Sequence, residues 1–564
     1  MPGNRPFPGV RPAGPSAEPL ALVAVVLGLV LFVLPLAIRF PLLDPDEGLH
    51  AEIAREMVES GDWLTPRFLG QPFWDKPILY CWAEAASLSI FGPNEAAVRL
   101  PGLMFGLLGA LTTGLLAGRL FNRETGLIAG IFYATTILPT AMAQAASHDV
   151  AIVPWINLGV LLLWESSRTE GRKASLACTL GAGFFLGLSI LTKGLEGVAV
   201  VGLAYGGGLL LTRRVRWPTL TQGAAVLVAA ALVAAPWYLA AGRANPGYLR
   251  YYFVDRHFLG FATATQPHSG QPWWYYLPIL LGGGLPWIGY LPVLVKEGRG
   301  ERGEGRGRSP FPLLWCWLIG WPLMLTLARS KLATYVWPAF PPVAILAAVV
   351  WQRLIAGRLG DSARRAFART FVSSSWSGPI LLPATVWVVQ RLFALPLGWH
   401  VWLAAGCAAA LAPLPLLAWR AGRVRAALAI GALSMAVQFV VVMTLVVPPV
   451  TECFSARELA EHFNRDGQLP PRLWLVEQRL GSLIFYLDSP LRTQPLRDRI
   501  MTLSSARAAH LAAGDVVAVP ETDRYHVPPQ IDLGNSPYQR VGRYKLYTLK
   551  SPLDYRAAAT DADE

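Results

Sequence analysis

The sequence predicts an all-α polytopic membrane protein of about thirteen transmembrane helices that ends in a small α/β soluble domain. Three observations predict it. Of 564 residues, 53% are hydrophobic and only 15% charged, a balance that leaves too little polar surface to cover a soluble chain of this length. Apolar runs long enough to cross a bilayer recur as far as Val446. From about Thr451 charged residues return and the hydrophobic runs shorten.

The first run, Pro19 to Ile38, has spanning length and no small-residue cleavage pattern behind it, so it reads as a retained span. Further runs follow at Val98 to Gly118, Thr125 to Pro139, Val150 to Leu163, Leu176 to Leu191, Gly197 to Leu211 and Ala224 to Tyr238. The series continues with Trp274 to Val295, Pro310 to Leu327, Tyr335 to Trp351, Phe371 to Val389, Val401 to Trp419 and Ala426 to Val446. An odd count places the termini on opposite sides. Basic clusters test the assignment: Arg119/Arg123, Arg168/Arg172/Lys173, Arg213/Arg214/Arg216, Lys296 to Arg308, Arg353 to Arg369 and Arg420/Arg423/Arg425 all fall on the side of Arg5 and Arg11. The positive-inside rule makes that side cytoplasmic.

The expected organisation is a cytoplasmic tail at 1–18, a membrane domain at 19–450 with extracytoplasmic loops at 39–97 and 239–273, and an extracytoplasmic domain at 451–564. Ile78 to Phe91 is apolar but short and carries Glu84, so it is placed along the membrane surface. The Gly/Arg/Glu stretch from Lys296 to Arg308 reads as a linker. In the last domain, Leu473 to Val476, Leu483 to Tyr486, Asp515 to Val519 and Tyr544 to Leu549 read as strands and Ala456 to Phe463 as a helix, with a polar tail after Tyr555. The net charge of +13 sits in short clusters between spans, which argues against nucleic acid as a partner. The five cysteines have no metal-ligand or redox spacing.

Acids, bases, histidines and aromatics gather on the side away from the basic clusters. The first external loop holds LDPDEGLHAEIAREM, in which Leu49, Ile53 and Met57 repeat every four residues and form a stripe suited to lying on the bilayer. Asp44 is expected to cap that helix. Asp46 and Glu47 are adjacent acids at a membrane surface, costly there unless paired with cations or a metal. Asp149, preceded by His148, opens the fourth span and should face the protein interior or a wet cavity. On the same side stand Lys76, Arg99, Lys193, Glu196, Asp255, His257, His268, Arg329 and Lys331. Cations at a membrane surface suit a lipid-linked phosphate, and an acid beside them suits removal of a proton from an attacking hydroxyl.

The ordered elements Asp46–Glu47 with AEIAREM, DKP, RLP, Asp149, LTKG, PHSGQPWWYY and SKLATYVWPAFP resemble, from about Leu42 to Pro342, bacterial membrane glycosyltransferases of the C-type fold. The resemblance is to the group of 4-amino-4-deoxy-L-arabinose lipid A transferases and dolichyl-phosphate-mannose protein mannosyltransferases. It implies an inner-membrane enzyme that moves a sugar, with inversion, from a polyprenyl-phosphate donor to an extracytoplasmic acceptor, which could be a lipid A-like lipid, a protein or a polysaccharide. Asp46 then maps to the general base, Glu47 to its support, and Asp149 to a second essential acid. Lys76, Lys331 and Tyr335 map to the donor phosphate, joined by Arg55. The resemblance also implies a zinc ion held by Asp75 and His257, although Asp75 is shorter than the glutamate expected there. It further implies an arginine after His257, where this sequence has Gly260 and Phe261, leaving Arg256 or Arg250 to substitute.

No P-loop or Rossmann glycine pattern occurs, and no nucleotide cofactor is expected. Two rival readings remain. A secondary transporter or flippase of lipid-linked sugars also suits many Gly, Pro and intramembrane charges, but the sequence shows no internal duplication. A scaffold that binds envelope polymers would not need acids and cations on so many separate loops.

Overall fold

A computed structural model describes residues 18–259, 270–297, 309–393, 395, 397–476, 480–503, 509–521, 533 and 537–555. Among these, eight helices are long and apolar enough to cross a membrane: Glu18–Ala37, Glu95–Leu120, His148–Ser166, Arg172–Lys193, Trp217–Ala244, Ala333–Ile355, Trp399–Arg420 and Val424–Glu452. The other runs expected to span are helical but differ in form. Tyr276–Gly283 and Trp287–Glu297 meet at a bend of 95° and make a ninth span if taken together. Glu196–Leu211 and Phe311–Leu327 are shorter. Arg123–Ala134 has only 12 residues, and Phe371 to Val389 lies inside the helix Asp361–Leu392, which opens on charged turns and carries Pro379 and Pro383.

Lipid supplies no hydrophobic drive between spans, so contact rests on close approach and internal hydrogen bonds. Glycines permit the approach of Glu95–Leu120 to Arg123–Ala134: a Cβ on Gly126 would lie 2.7 Å from the carbonyl of Gly114. Asn94 and Asn122 cap these helices by accepting from Ala97 N (3.0 Å) and Thr125 N (2.9 Å). Buried Asn157 donates to Thr112 and Thr113 at 3.0 and 2.9 Å. Nearly all of Phe340–Ile355 is buried, which makes that helix the centre of the bundle.

The first external loop forms helix Asp46–Ser60, the hairpin β1 (Arg67–Phe68) and β2 (Gln71–Pro72), and helix Leu79–Phe91. Glu56 accepts from Leu69 N (2.5 Å) and Gly70 N (3.1 Å), which ties the hairpin tip to the first helix. At 13 residues, Leu79–Phe91 is about 20 Å long, short of a full crossing. The stripe expected on the bilayer faces protein instead: Ile53 and Met57 are buried in the main core, and Leu49 packs against it. Repeat spacing specifies an apolar face but not what covers it.

The C-terminal domain adds β3 (Leu473–Val476), β4 (Ile500–Leu503), β5 (Ala509–Leu511), β6 (Val516–Pro520), β7 (Tyr538–Val541), β8 (Tyr544–Thr548) and β9 (Leu553–Tyr555). Five strands form one sheet in the order β4-β3-β6-β8-β7, parallel among β4, β3 and β6 and antiparallel from β6 to β7, while β5 pairs with β9. β3 is buried at all four residues. Leu483 to Tyr486 is not a strand but part of helix Gly481–Tyr486. A short apolar run cannot be assigned by periodicity alone. The expected polar tail after Tyr555 and the linker over 298–308 lie outside the described residues.

Candidate active site

The sequence LLDPDEG places three acids around the start of helix Asp46–Ser60, and each meets different surroundings. Glu47 is buried and receives Arg99 Nε at 3.0 Å and Arg99 Nη2 at 2.8 Å, besides Leu43 N (2.9 Å) and Ala146 N (3.1 Å). The same guanidinium donates to the carbonyls of Phe40 and Pro41. Glu47 therefore joins the helix start to the RLP segment and to the chain just before Asp149. Asp44 does not cap its own helix: Pro45 holds the cap position, and the Asp44 carboxylate accepts from Ser482 N (3.0 Å) and the Ser482 hydroxyl. Burial pushes the Asp44 carboxyl up to about 7, against the pull of those two donors and of Arg543. Asp46, between the two tethered acids, is exposed.

A second group forms where three helix ends meet. Asp149 lies in the first turn of helix His148–Ser166, after Ser147, whose side chain accepts from Asp149 N. Lys193 ends helix Arg172–Lys193, where unpaired carbonyls favour a cation. Glu196 opens the next helix. Lys193 forms an ion pair with Asp149 and another with Glu196 at 2.8 Å, all three being largely shielded from water. Its ammonium also sits 4.7 Å from the ring centre of Tyr335. Two acids to one cation leave the trio negative, and its cation is fully committed.

The buried imidazoles of His50 and His148 link the two groups, with ring centres 4.6 Å apart. Burial lowers His50 to about 4, with Lys76 reinforcing the shift while Asp46 and Asp149 oppose it. His50 therefore lies within electrostatic reach of Asp46, Lys76 and Asp149 together. Lys76 is half-buried after the hairpin. Lys331 is buried and donates to the Gln271 carbonyl at 3.3 Å. Four residues on, Tyr335 lies in the short helix Ala333–Ala339.

Arg55 stands apart from these. Its guanidinium pairs with Glu59 at 2.8 Å and donates to the carbonyl of Phe485, so it faces the C-terminal domain. Asp75 accepts from the Tyr251 hydroxyl at 2.5 Å and lies 3.8 Å from Arg256 Nε. The His257 side chain and Gly260 and Phe261 lie outside what is described, and no group of three metal-capable side chains occurs among the described residues. Asp75 thus meets one hydroxyl and, farther off, one guanidinium. Sequence reading named Lys193, Glu196 and Arg99 only as members of a face and did not assign roles to His50, His148 or Ser482. The Lys193–Glu196 spacing was the usable signal for the trio, whereas nothing local marks Ser482.

The profile of the dolichyl-phosphate-mannose-protein mannosyltransferase family matches residues 75–239. The chain is 34% identical over 318 residues to the undecaprenyl phosphate-alpha-4-amino-4-deoxy-L-arabinose arabinosyl transferase of Erwinia tasmaniensis, covering 56% of each chain. It is 33% identical over 347 residues to the enzyme of that name from Pseudomonas aeruginosa strain UCBPP-PA14, covering 61% of each. The match thus spans 56% and 61% of these relatives' lengths. In fold, the chain superposes on the crystal structure of ArnT from Cupriavidus metallidurans bound to undecaprenyl phosphate with a TM-score of 0.74, at 23% identity, over 94% of this chain and 98% of that one. The chain therefore resembles, in sequence through its first loops and spans and in fold over nearly its whole length, the bacterial C-type-fold membrane glycosyltransferases of the aminoarabinose lipid A transferase and protein mannosyltransferase group.

Proposed function

We propose that this protein transfers a pentose of the 4-amino-4-deoxy-L-arabinose type from undecaprenyl phosphate to a lipid A-like acceptor at the outer face of the inner membrane. The observation that carries the proposal is the meeting of two groups through the His50–His148 ring contact: the start of the helix that bears Asp46, and Asp149 paired with Lys193, whose ammonium lies against the Tyr335 ring. The similar arabinosyl transferases supply the sugar and the carrier lipid. The N-terminus is assigned to the cytoplasm and the C-terminal domain to the opposite side, in keeping with the distribution of basic clusters.

In the mechanism we infer, an acceptor oxygen attacks the anomeric carbon from the face opposite the phosphate, the C–O bond to the polyprenyl phosphate breaks, and configuration inverts. Lys76, Lys331 and the Tyr335 hydroxyl hold the departing phosphate, whose charge is stabilised strongly beside low-dielectric lipid. Asp46 takes the proton of a hydroxyl acceptor. With an acceptor phosphate that is already ionised, its role becomes orientation. Asp149 is held in place by Lys193, and Glu47 fixes the helix that presents Asp46.

Incubating the purified, reconstituted protein with radiolabelled donor tests this reading. We expect the label to leave the polyprenyl phosphate and appear on the lipid acceptor. Label that crosses the bilayer still attached to its carrier would make the protein a flippase and overturn the reading.

A further inference from the structure

We propose that Ser482 of the C-terminal domain is a positioning residue for Asp46, acting through Asp44. The inference rests on the reading of Asp46 as the acid at the acceptor and assigns the C-terminal domain a part in that same site.

Asp46 is exposed at the first residue of its helix, so its place depends on how the helix start is held. Glu47 ties that start to the membrane domain through Arg99 and Ala146. The opposite tie comes from the C-terminal domain. Asp44 N donates to the Phe454 carbonyl at 2.9 Å, and its carboxylate takes both donors of Ser482. The Ser482 hydroxyl is itself oriented, because it accepts from Ala456 N at 2.8 Å while donating to Asp44.

The approach is backbone to backbone. A Cβ on Gly48 would lie 2.3 Å from Ser482 N, and one on Gly481 would lie 2.2 Å from Leu49 N. The first turns of helices Asp46–Ser60 and Gly481–Tyr486 therefore fit only with glycine at both positions. Farther along, the same helix is held independently: Arg492 pairs with Glu52 at 2.9 Å and with Glu59 at 2.7 Å, and Arg55 donates to the Phe485 carbonyl. Loss of the Ser482–Asp44 link alone would leave the domain docked and release only the end of the helix that carries Asp46.

The test measures kcat and donor KM per folded, full-length protein, with undecaprenyl-phosphate-linked aminoarabinose as donor and lipid A as acceptor. For Ser482→Ala we expect kcat to fall by about 10²-fold, the effect of misplacing a reacting group by about an ångström, with donor KM within about twofold. Ser482→Thr keeps the hydroxyl and should restore most of kcat. A Ser482→Ala enzyme with unchanged kcat, or one whose kcat and KM shift together and are not restored by Thr, overturns the proposal. Should Ser482→Ala fail to fold, Asp44→Asn carries the test: it keeps an acceptor for Ser482 N–H but loses the charge. A lowered kcat at unchanged KM supports positioning, and full activity overturns it. Asp46→Asn in the same assay separates the two levels. If it is fully active, the reading of Asp46, as base or as orienting acid, fails. If it is inactive while Ser482→Ala is fully active, only the positioning role fails.

Discussion

The start of the first-loop helix and the Asp149 trio use acids in opposite ways. At the helix start, Asp44 and Glu47 are spent on tethers while Asp46 between them is left exposed. In the trio, Asp149 and Glu196 are both bound to a single lysine in a place closed to water. An acid whose lone pairs are filled by fixed donors holds structure; one kept open beside such tethers is available for chemistry. The difference lies in the partners, since the residue types are the same.

The largest effect should come from the open acid. Asp46→Asn is expected to lower kcat by about 10²–10⁴-fold with a hydroxyl acceptor while leaving the melting transition in detergent unchanged. A loss confined to KM would move Asp46 from catalysis to binding. Next comes the trio: Lys193→Met strands two buried acids and should cost about 3–5 kcal/mol of stability, read as a lower melting temperature and poor yield. Normal stability would mean that water reaches Asp149 and Glu196 freely.

Arg55→Ala should be smaller, costing about 1–3 kcal/mol through its lost carbonyl contact and leaving donor KM unchanged. A tenfold rise in donor KM would return Arg55 to the phosphate. The smallest effect concerns pH. Asp44 titrates near 7 in the folded protein against 3.8 for the free side chain, so the folded form favours the protonated acid. That contribution is complete below the unfolded value and is lost as pH rises through the folded one. The melting temperature of the wild type, relative to Asp44→Asn, should therefore fall between about pH 4 and about pH 7. A flat difference would place Asp44 in a wetter setting.

Much of this molecule was legible before its structure. Runs such as Ala224 to Tyr238 and Ala426 to Val446 announce spans because lipid demands about twenty apolar residues in helical form. Segments broken by Pro286 or opened by Arg364 and Arg365 resist that rule, since length and apolarity no longer travel together. Within the site, Asp46, Lys76, Asp149 and Tyr335 were named from the order of their motifs. Arg55 was named for the donor phosphate because a cation near an acidic helix start suits one, and spacing gives no sign that the carbonyl of Phe485, 430 residues later, receives its guanidinium. Asp44 was misjudged for the same reason, its partner Ser482 lying 438 positions away. Local spacing reports helices and faces; it does not report which distant carbonyl or hydroxyl fills the remaining lone pairs.

The account turns on separate loops meeting at one outward-facing site, and side-specific cysteine labelling tests that most directly. Asp46 lies in the first loop and Gln271, the exposed partner of Lys331, in a loop four long spans later in the chain. In a cysteine-free background, Asp46→Cys and Gln271→Cys should both react with a membrane-impermeant maleimide added to the outside of intact cells stripped of their outer membrane. Reaction of one from outside and the other only after lysis would put the acid and the loop that meets Lys331 on opposite faces, and no common reaction centre could then exist.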